Sequence, residues 1–206
     1  MTGMRASAQK PEKTIMAGIR AGPMLFFGDI GSMGTGYHAA ISGSYAFSEV
    51  LSLRLAFDYG VVSDSDEGTP NAARDYAYTT VIIEPEVTVM YEFFTQRGKG
   101  FTRKGMVKQW DKWTGLVFAG IAFPWYKVTP GRHLTPAIMD RERGIAPALS
   151  AGAALQYGLS AKWYVRLTFN PHFVLSDYLD GYTSPNSTSY DIYHRVSLGL
   201  YYYLGL

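Results

Sequence analysis

The chain has 206 residues, 47% hydrophobic and 15% aromatic, with 22 Gly, 16 Tyr, no Cys and a formal charge of +2. That length suits one domain. The missing Cys excludes disulfides, thiolate metal sites and an acylated N-terminal Cys, and so small a charge makes no case for nucleic acid. No run of about 18 apolar residues is present, which excludes a transmembrane helix and leaves any membrane hold to strands.

Ala6-Ser7-Ala8 before Gln9 matches a small-residue signal-peptidase site. Residues 1–13 are therefore expected to be a signal-peptide remnant and tail, with 1–8 absent from the mature protein.

From Thr14 onward, period-two alternation predicts strands. In the first, Thr14 to Phe27, Ile15, Ala17, Ile19 and Ala21 alternate with Met16, Gly18, Arg20 and Gly22. Gly28-Asp29-Ile30-Gly31 ends it with turn chemistry. The second runs from Tyr37 to Phe47 and the third from Leu51 to Val61, separated by the short turn Ser48-Glu49. A polar loop, Ser63 to Asp75, leads to the fourth strand, Tyr76 to Phe94, where Pro85 predicts a bulge because it cannot donate to the ladder. The fifth, Trp113 to Tyr126, carries apolar residues on both faces, and a loop from Lys127 to Arg143 follows. The sixth (Ile145 to Tyr157) and seventh (Trp163 to Leu175) flank the turn Leu159-Ser160-Ala161-Lys162. A polar stretch, Asp177 to Tyr190, precedes the eighth strand, Ile192 to Leu206, whose apolar row is interrupted only by His194.

Eight such strands predict an all-β fold: an eight-stranded antiparallel up-and-down transmembrane β-barrel spanning residues 14–206. A tilted strand needs about 9–11 residues to cross a bilayer, which these supply. With both termini on one side, the first, third, fifth and seventh connections are all long and two of the other three are tight. That is the loop asymmetry of outer-membrane barrels, with long loops outside and both termini periplasmic. Phe26, Phe27, Tyr37, Tyr59, Tyr76, Trp125, Phe173 and Tyr193 are expected at the outer rim; Phe47, Phe93, Trp113, Tyr157, Trp163 and Tyr202 are expected at the inner one.

Charged strand residues share rows with Gly, Ser and Thr, so the polar face is the interior. Arg20, Arg54, Asp58, Glu84, Glu86, Arg166, His172 and Arg195 lie on it. A narrow barrel is filled by side chains, so these charges are expected to pair as an electrostatic plug rather than to line a conduction path.

A catalytic reading has to draw on His172 with Ser176, or on Asp177 and Asp180 near His194. No nucleophile elbow, phosphate loop or metal-ligand spacing accompanies them, so no enzyme activity, cofactor, metal or small-molecule substrate is expected. Asp177, Asp180 and Asp191 read as ordinary loop residues.

Residues 95–112 break the pattern on the inner side. Arg97, Lys99, Arg103, Lys104, Lys108 and Lys112 stand against one acid, Asp111, with Phe101, Met106, Val107 and Trp110 interspersed. Anionic lipid on the inner side is one reading. The sharper one is a periplasmic protein docked by Arg97, Lys99, Phe101, Arg103, Lys104, Lys108 and Trp110, since interfaces use aromatics and Arg as anchors.

Three stretches carry a resemblance: Phe27-Gly28-Asp29-Ile30, Phe118-Ala119-Gly120-Ile121-Ala122-Phe123 and Ser176-Asp177-Tyr178-Leu179-Asp180-Gly181. In order and spacing, over roughly residues 15–206, the chain resembles the OmpA-like outer-membrane barrels of Bacteroidetes related to PorG of the type IX secretion system. Ser176 and Gly181 depart from the family pattern of Thr and a second acid. The resemblance implies a non-catalytic barrel in outer-membrane lipid that anchors or helps assemble a secretion complex through periplasmic proteins of the PorK and PorN type. The alternative is a general surface barrel: structural protein, adhesin or narrow channel.

Overall fold

The structure, a computed structural model, describes residues 14–101, 107–176, 178–182 and 191–204. The strands are β1 (Thr14–Phe27), β2 (Gly34–Ala46), β3 (Leu51–Ser65), β4 (Tyr76–Phe101), β5 (Val107–Ala122), β6 (Trp125–Arg132), β7 (Arg143–Ile145), β8 (Ala148–Gly158), β9 (Trp163–Val174) and β10 (Ile192–Tyr203). All pairings are antiparallel, and β1 pairs with β10 while β3 pairs with β4, so the sheet closes on itself. β5 and β6 are two halves of one barrel strand, as are β7 and β8. The result is a closed eight-stranded antiparallel barrel.

Proline chemistry sets those interruptions. Pro85 of β4 lies between Ile83, opposite Trp125, and Glu86, opposite Ala122, so the register runs through it unchanged. The bulge expected at Pro85 is absent. Its carbonyl accepts the Phe123 amide at 3.0 Å, but it has no N–H to return, and the ladder lapses there. Pro124 and Pro147 repeat the effect on the next strands, with Ala146 donating to Pro124 at 3.1 Å and Leu175 to Pro147 at 2.8 Å. The register shifts fall lower on β4, between Glu92 and Phe94 and between Gln96 and Arg97.

Two segments read as loops are strand. Residues 127–132 belong to β6, and most of the basic 95–112 segment extends β4 and β5 as a hairpin, with Arg97 opposite Asp111 and Phe101 opposite Val107. β3 leaves β4 after Leu51 opposite Tyr91, and β8 leaves β5 after Tyr157 opposite Trp113. Below those rungs β4 and β5 pair only with each other.

The outward face is apolar, including Ile19, 62% exposed, with Ile41, Leu55, Val89 and Leu198. Such a face demands lipid, because water against it forfeits roughly 25 cal/mol per Å². At the end that holds the chain termini, here termed the inner rim, Trp113 packs at a tilt against Tyr157 at 4.7 Å and Trp163 against Tyr202 at 4.8 Å. At the outer rim Phe27, Tyr37, Tyr59, Trp125 and Phe173 face out. Phe26 and Tyr193 instead point inward and are buried, and Tyr76 packs against the same interior cluster. Their strand parity puts them on the lumenal row.

Candidate functional site: a filled lumen and a tied outer mouth

The interior is layered, and the layers follow from inward positions along each strand. Toward the inner end, Met16, Tyr164 and Tyr201 form one apolar cluster, and Met90, Leu116, Phe118 and Ala154 another. Toward the outer end, Met24, Phe26, Val62, Ile82, Tyr126 and Tyr193 pack with loop residues Ile30, Leu134 and Leu179. Between them lies the charge layer.

Its centre is Glu86. Glu86 Oε2 accepts from Arg20 and Arg54, each at 3.2 Å. Glu86 Oε1 accepts from Asn170 at 3.0 Å and from the Ser150 hydroxyl. Arg20 also donates to Asp58 at 2.7 Å. Arg195 Nη1 reaches Glu84 at 2.6 Å and Asp58 at 3.6 Å. His172 Nε2 lies 3.1 Å from Glu84, and its ring stacks on Tyr193 at 4.5 Å, whose hydroxyl donates to the same carboxylate. His38 Nδ1 stands 3.2 Å from Asp58. Every one of these charged groups is buried, so each is held by a partner rather than by water.

Arg166 does not join them. It donates to Gln156 Oε1 at 2.6 and 3.0 Å and lies over the Tyr201 ring at 4.2 Å. Its cross-strand neighbours are Gln156 and Gly199, and the carboxylates belong to rungs nearer the outer end. His38, Thr88, Ser150 and Asn170 complete the layer and were not singled out from the sequence, and Tyr193, expected at the outer rim, joins them. Their inward parity marks them, but parity alone does not say which inward residues meet across the lumen.

The candidate catalytic groups are not brought together. His172 faces the lumen, whereas His194 faces outward, stacked on Phe169 at 5.7 Å and edge-on to Phe27 at 5.4 Å. Among the described residues no hydrogen bond joins His172 to Ser176, and Asp177 lies outside those residues.

Asp180 and Asp191 are not ordinary loop residues: both are buried and bind backbone amides. Asp180 Oδ2 accepts from Asp29 at 2.8 Å and Ile30 at 3.0 Å, and Oδ1 from Tyr182 at 3.1 Å. Asp191 accepts from Leu179 at 2.7 Å, and the Thr80 hydroxyl donates to the Leu179 carbonyl at 2.7 Å. Asp66 does similar work from the loop after β3, taking the amides of Gly31 and Tyr76 at 3.1 Å each and the Arg74 guanidinium at 2.7 and 2.8 Å. Arg74 also donates to the Asp29 carbonyl at 2.9 Å. Gly31 (φ 80°) and Gly181 (φ 81°) make the left-handed turns this requires. Burial pushes the Asp66 carboxyl up, but Arg74 and the two amides outweigh it and hold it below its ordinary value. Burial, with Asp29 nearby, pushes Asp180 up to about 7 against its three amide donors.

No protein-family model and no curated protein matches the chain. Solved structures do. Neisserial surface protein A superposes with a TM-score of 0.53 at 12% identity, over 93% of this chain and 97% of that one. A major outer-membrane protein from Thermus thermophilus gives 0.52 at 11%, over 93% and 99%. The chain has the fold of small outer-membrane barrels. At these identities the likeness speaks for the fold alone.

The basic hairpin is described only in its backbone. Arg97, Lys99, Phe101, Lys108 and Trp110 stand on its two strands, and Arg103 and Lys104 lie outside the described residues.

Proposed function

We propose that this chain is an integral, non-catalytic outer-membrane barrel with a closed lumen, acting as an anchor or assembly factor for a periplasmic complex through its inner hairpin. The observation that supports this reading is the overlength of β4 and β5, which continue past the last rung of both neighbouring strands. Nothing in barrel closure requires that length, and it carries the basic, aromatic-containing segment. The filled interior supports work at the ends of the barrel rather than through it. Resemblance to the PorG-related barrels makes the type IX secretion ring, with its PorK- and PorN-type proteins, the partner to test first.

The test replaces residues 95–112 by a short Gly/Asn turn. The barrel should remain heat-modifiable on gels, while co-purification of ring components and type IX secretion are lost. Normal secretion with intact co-purification sinks the docking role. The tied outer mouth supports a second reading, a surface barrel; there the same deletion leaves function intact and disruption of the outer loops removes it.

A further inference from the structure

Two cations face each other on the outside of the wall. Lys127 of β6 and Arg143 of β7 are cross-strand partners, and both are exposed. The next outward rung toward the membrane centre is Trp125 opposite Ile145, 49% and 60% exposed. Facing residues on an antiparallel pair hold their Cβ atoms about 4.5–5.5 Å apart, and like charges there repel.

Nearby cations do have acids. Arg132, further along β6, meets Glu67 at 2.7 Å and Asp75 at 2.8 Å. Among the described residues neither Lys127 nor Arg143 makes an ion pair, and the β4 residue opposite Lys127 is Val81. The barrel thus places two cations opposite each other, without an ion pair among the described residues, one rung above its aromatic rim. A charge on a lipid-facing strand costs about 2–4 kcal/mol at the bilayer midplane and about 0–1 near the interface, so this level tolerates it. An anion between the two groups converts the repulsion into attraction, and guanidinium matches phosphate with two parallel N–H donors.

We propose that Lys127 and Arg143 bind the phosphate of an outer-leaflet glycolipid, whose acyl chains lie against Trp125 and Ile145. This rests on the membrane-barrel reading and is independent of the hairpin's docking role. Once seated, the phosphate bridges the two strands at the Lys127–Arg143 rung.

Native mass spectrometry of the detergent-purified barrel tests it, with lipid A, dephosphorylated lipid A, phosphatidylglycerol and inorganic phosphate as probes. Heat-modifiable migration of the wild-type protein checks the barrel reading separately. Wild-type protein should retain lipid A about 10-fold more tightly than the dephosphorylated form, roughly 1.4 kcal/mol. The double variant Lys127→Ser/Arg143→Ser should lose that preference, and the control Arg132→Ser should keep it. Equal retention of the two lipid A forms by wild-type protein, or an undiminished preference in the double variant, overturns the site. Equal retention of phosphatidylglycerol, or displacement of lipid A by millimolar inorganic phosphate, overturns the glycolipid assignment.

Discussion

The Asp180 carboxylate accepts the Ile30 amide at 3.0 Å, across a separation of 150 residues. It ties the loop after β1 to the loop before β10, at the rim where those strands also pair. The first and last of the three stretches that carry the family resemblance therefore touch: they are two sides of one contact. Gly28 belongs to it as well, because a Cβ there would meet Asp180 Oδ2 at 2.9 Å.

Asp180→Ala leaves the amides of Asp29, Ile30 and Tyr182 without their acceptor. The expected loss is about 1–3 kcal/mol for each group that stays buried, concentrated in the loops. Hydrogen exchange should speed up at residues 29–31 and 179–182, with β-strand protection and heat-modifiable migration retained. Asp180→Asn keeps an acceptor and should lose less.

The same contact responds to pH. The folded carboxyl titrates near 7, above its ordinary 3.8, because of burial. A raised acid pKa means the folded state holds the proton more tightly. This contribution is therefore fully present below about 3.8 and lost as pH rises through 7. After correction for intrinsic exchange, loop protection should be greater at pH 5 than at pH 8. Asp180→Asn should remove the difference; an unchanged pH dependence in that variant would count against Asp180 as its source.

In the lumen, Glu86→Ala strands Arg54 and leaves Arg20 with Asp58 as its one carboxylate partner among the described residues. Breaking one side of a buried ion pair costs about 3–5 kcal/mol. Urea unfolding from detergent micelles should show a loss of that size, with Glu84→Ala, which leaves Arg195 only its 3.6 Å contact with Asp58, close behind. Arg166→Met should cost less, since Arg166 lacks a carboxylate partner among the described residues.

Three packed layers predict no steady conductance. Planar-bilayer recordings of the purified wild-type protein should stay at baseline apart from brief flickers. Large, steady unitary currents would contradict the closed lumen.

Orientation is testable by impermeant maleimide on whole cells. Gly68→Cys and Thr135→Cys, in long loops, should label; Thr95→Cys and Lys112→Cys, on the hairpin, should not. The reverse pattern places the long loops inside.

Strand positions, the barrel and the inward charged row were legible in the sequence, because period-two alternation is local and one lipid-facing side makes it strict. Pro85 misled for the same reason. Locally it looks like a bulge, yet the flanking pairings keep one register through it. The fifth strand's two apolar faces were unreadable alone. Leu116 and Phe118 are inward because Met90 and Ala154 meet them there, across strands that sequence spacing does not connect. Tertiary structure likewise chose the charge partners: parity put Arg166 and Arg195 in one row, but only the closed sheet set Arg195 beside Glu84 and Arg166 beside Gln156. It also made Asp180 a buried cap instead of a loop acid, since two of the three amides that hold it belong to the opposite end of the chain. Composition and alternation, being properties of neighbours along the chain, determined the barrel; closure, which sets distant rungs side by side, decided what its charges hold.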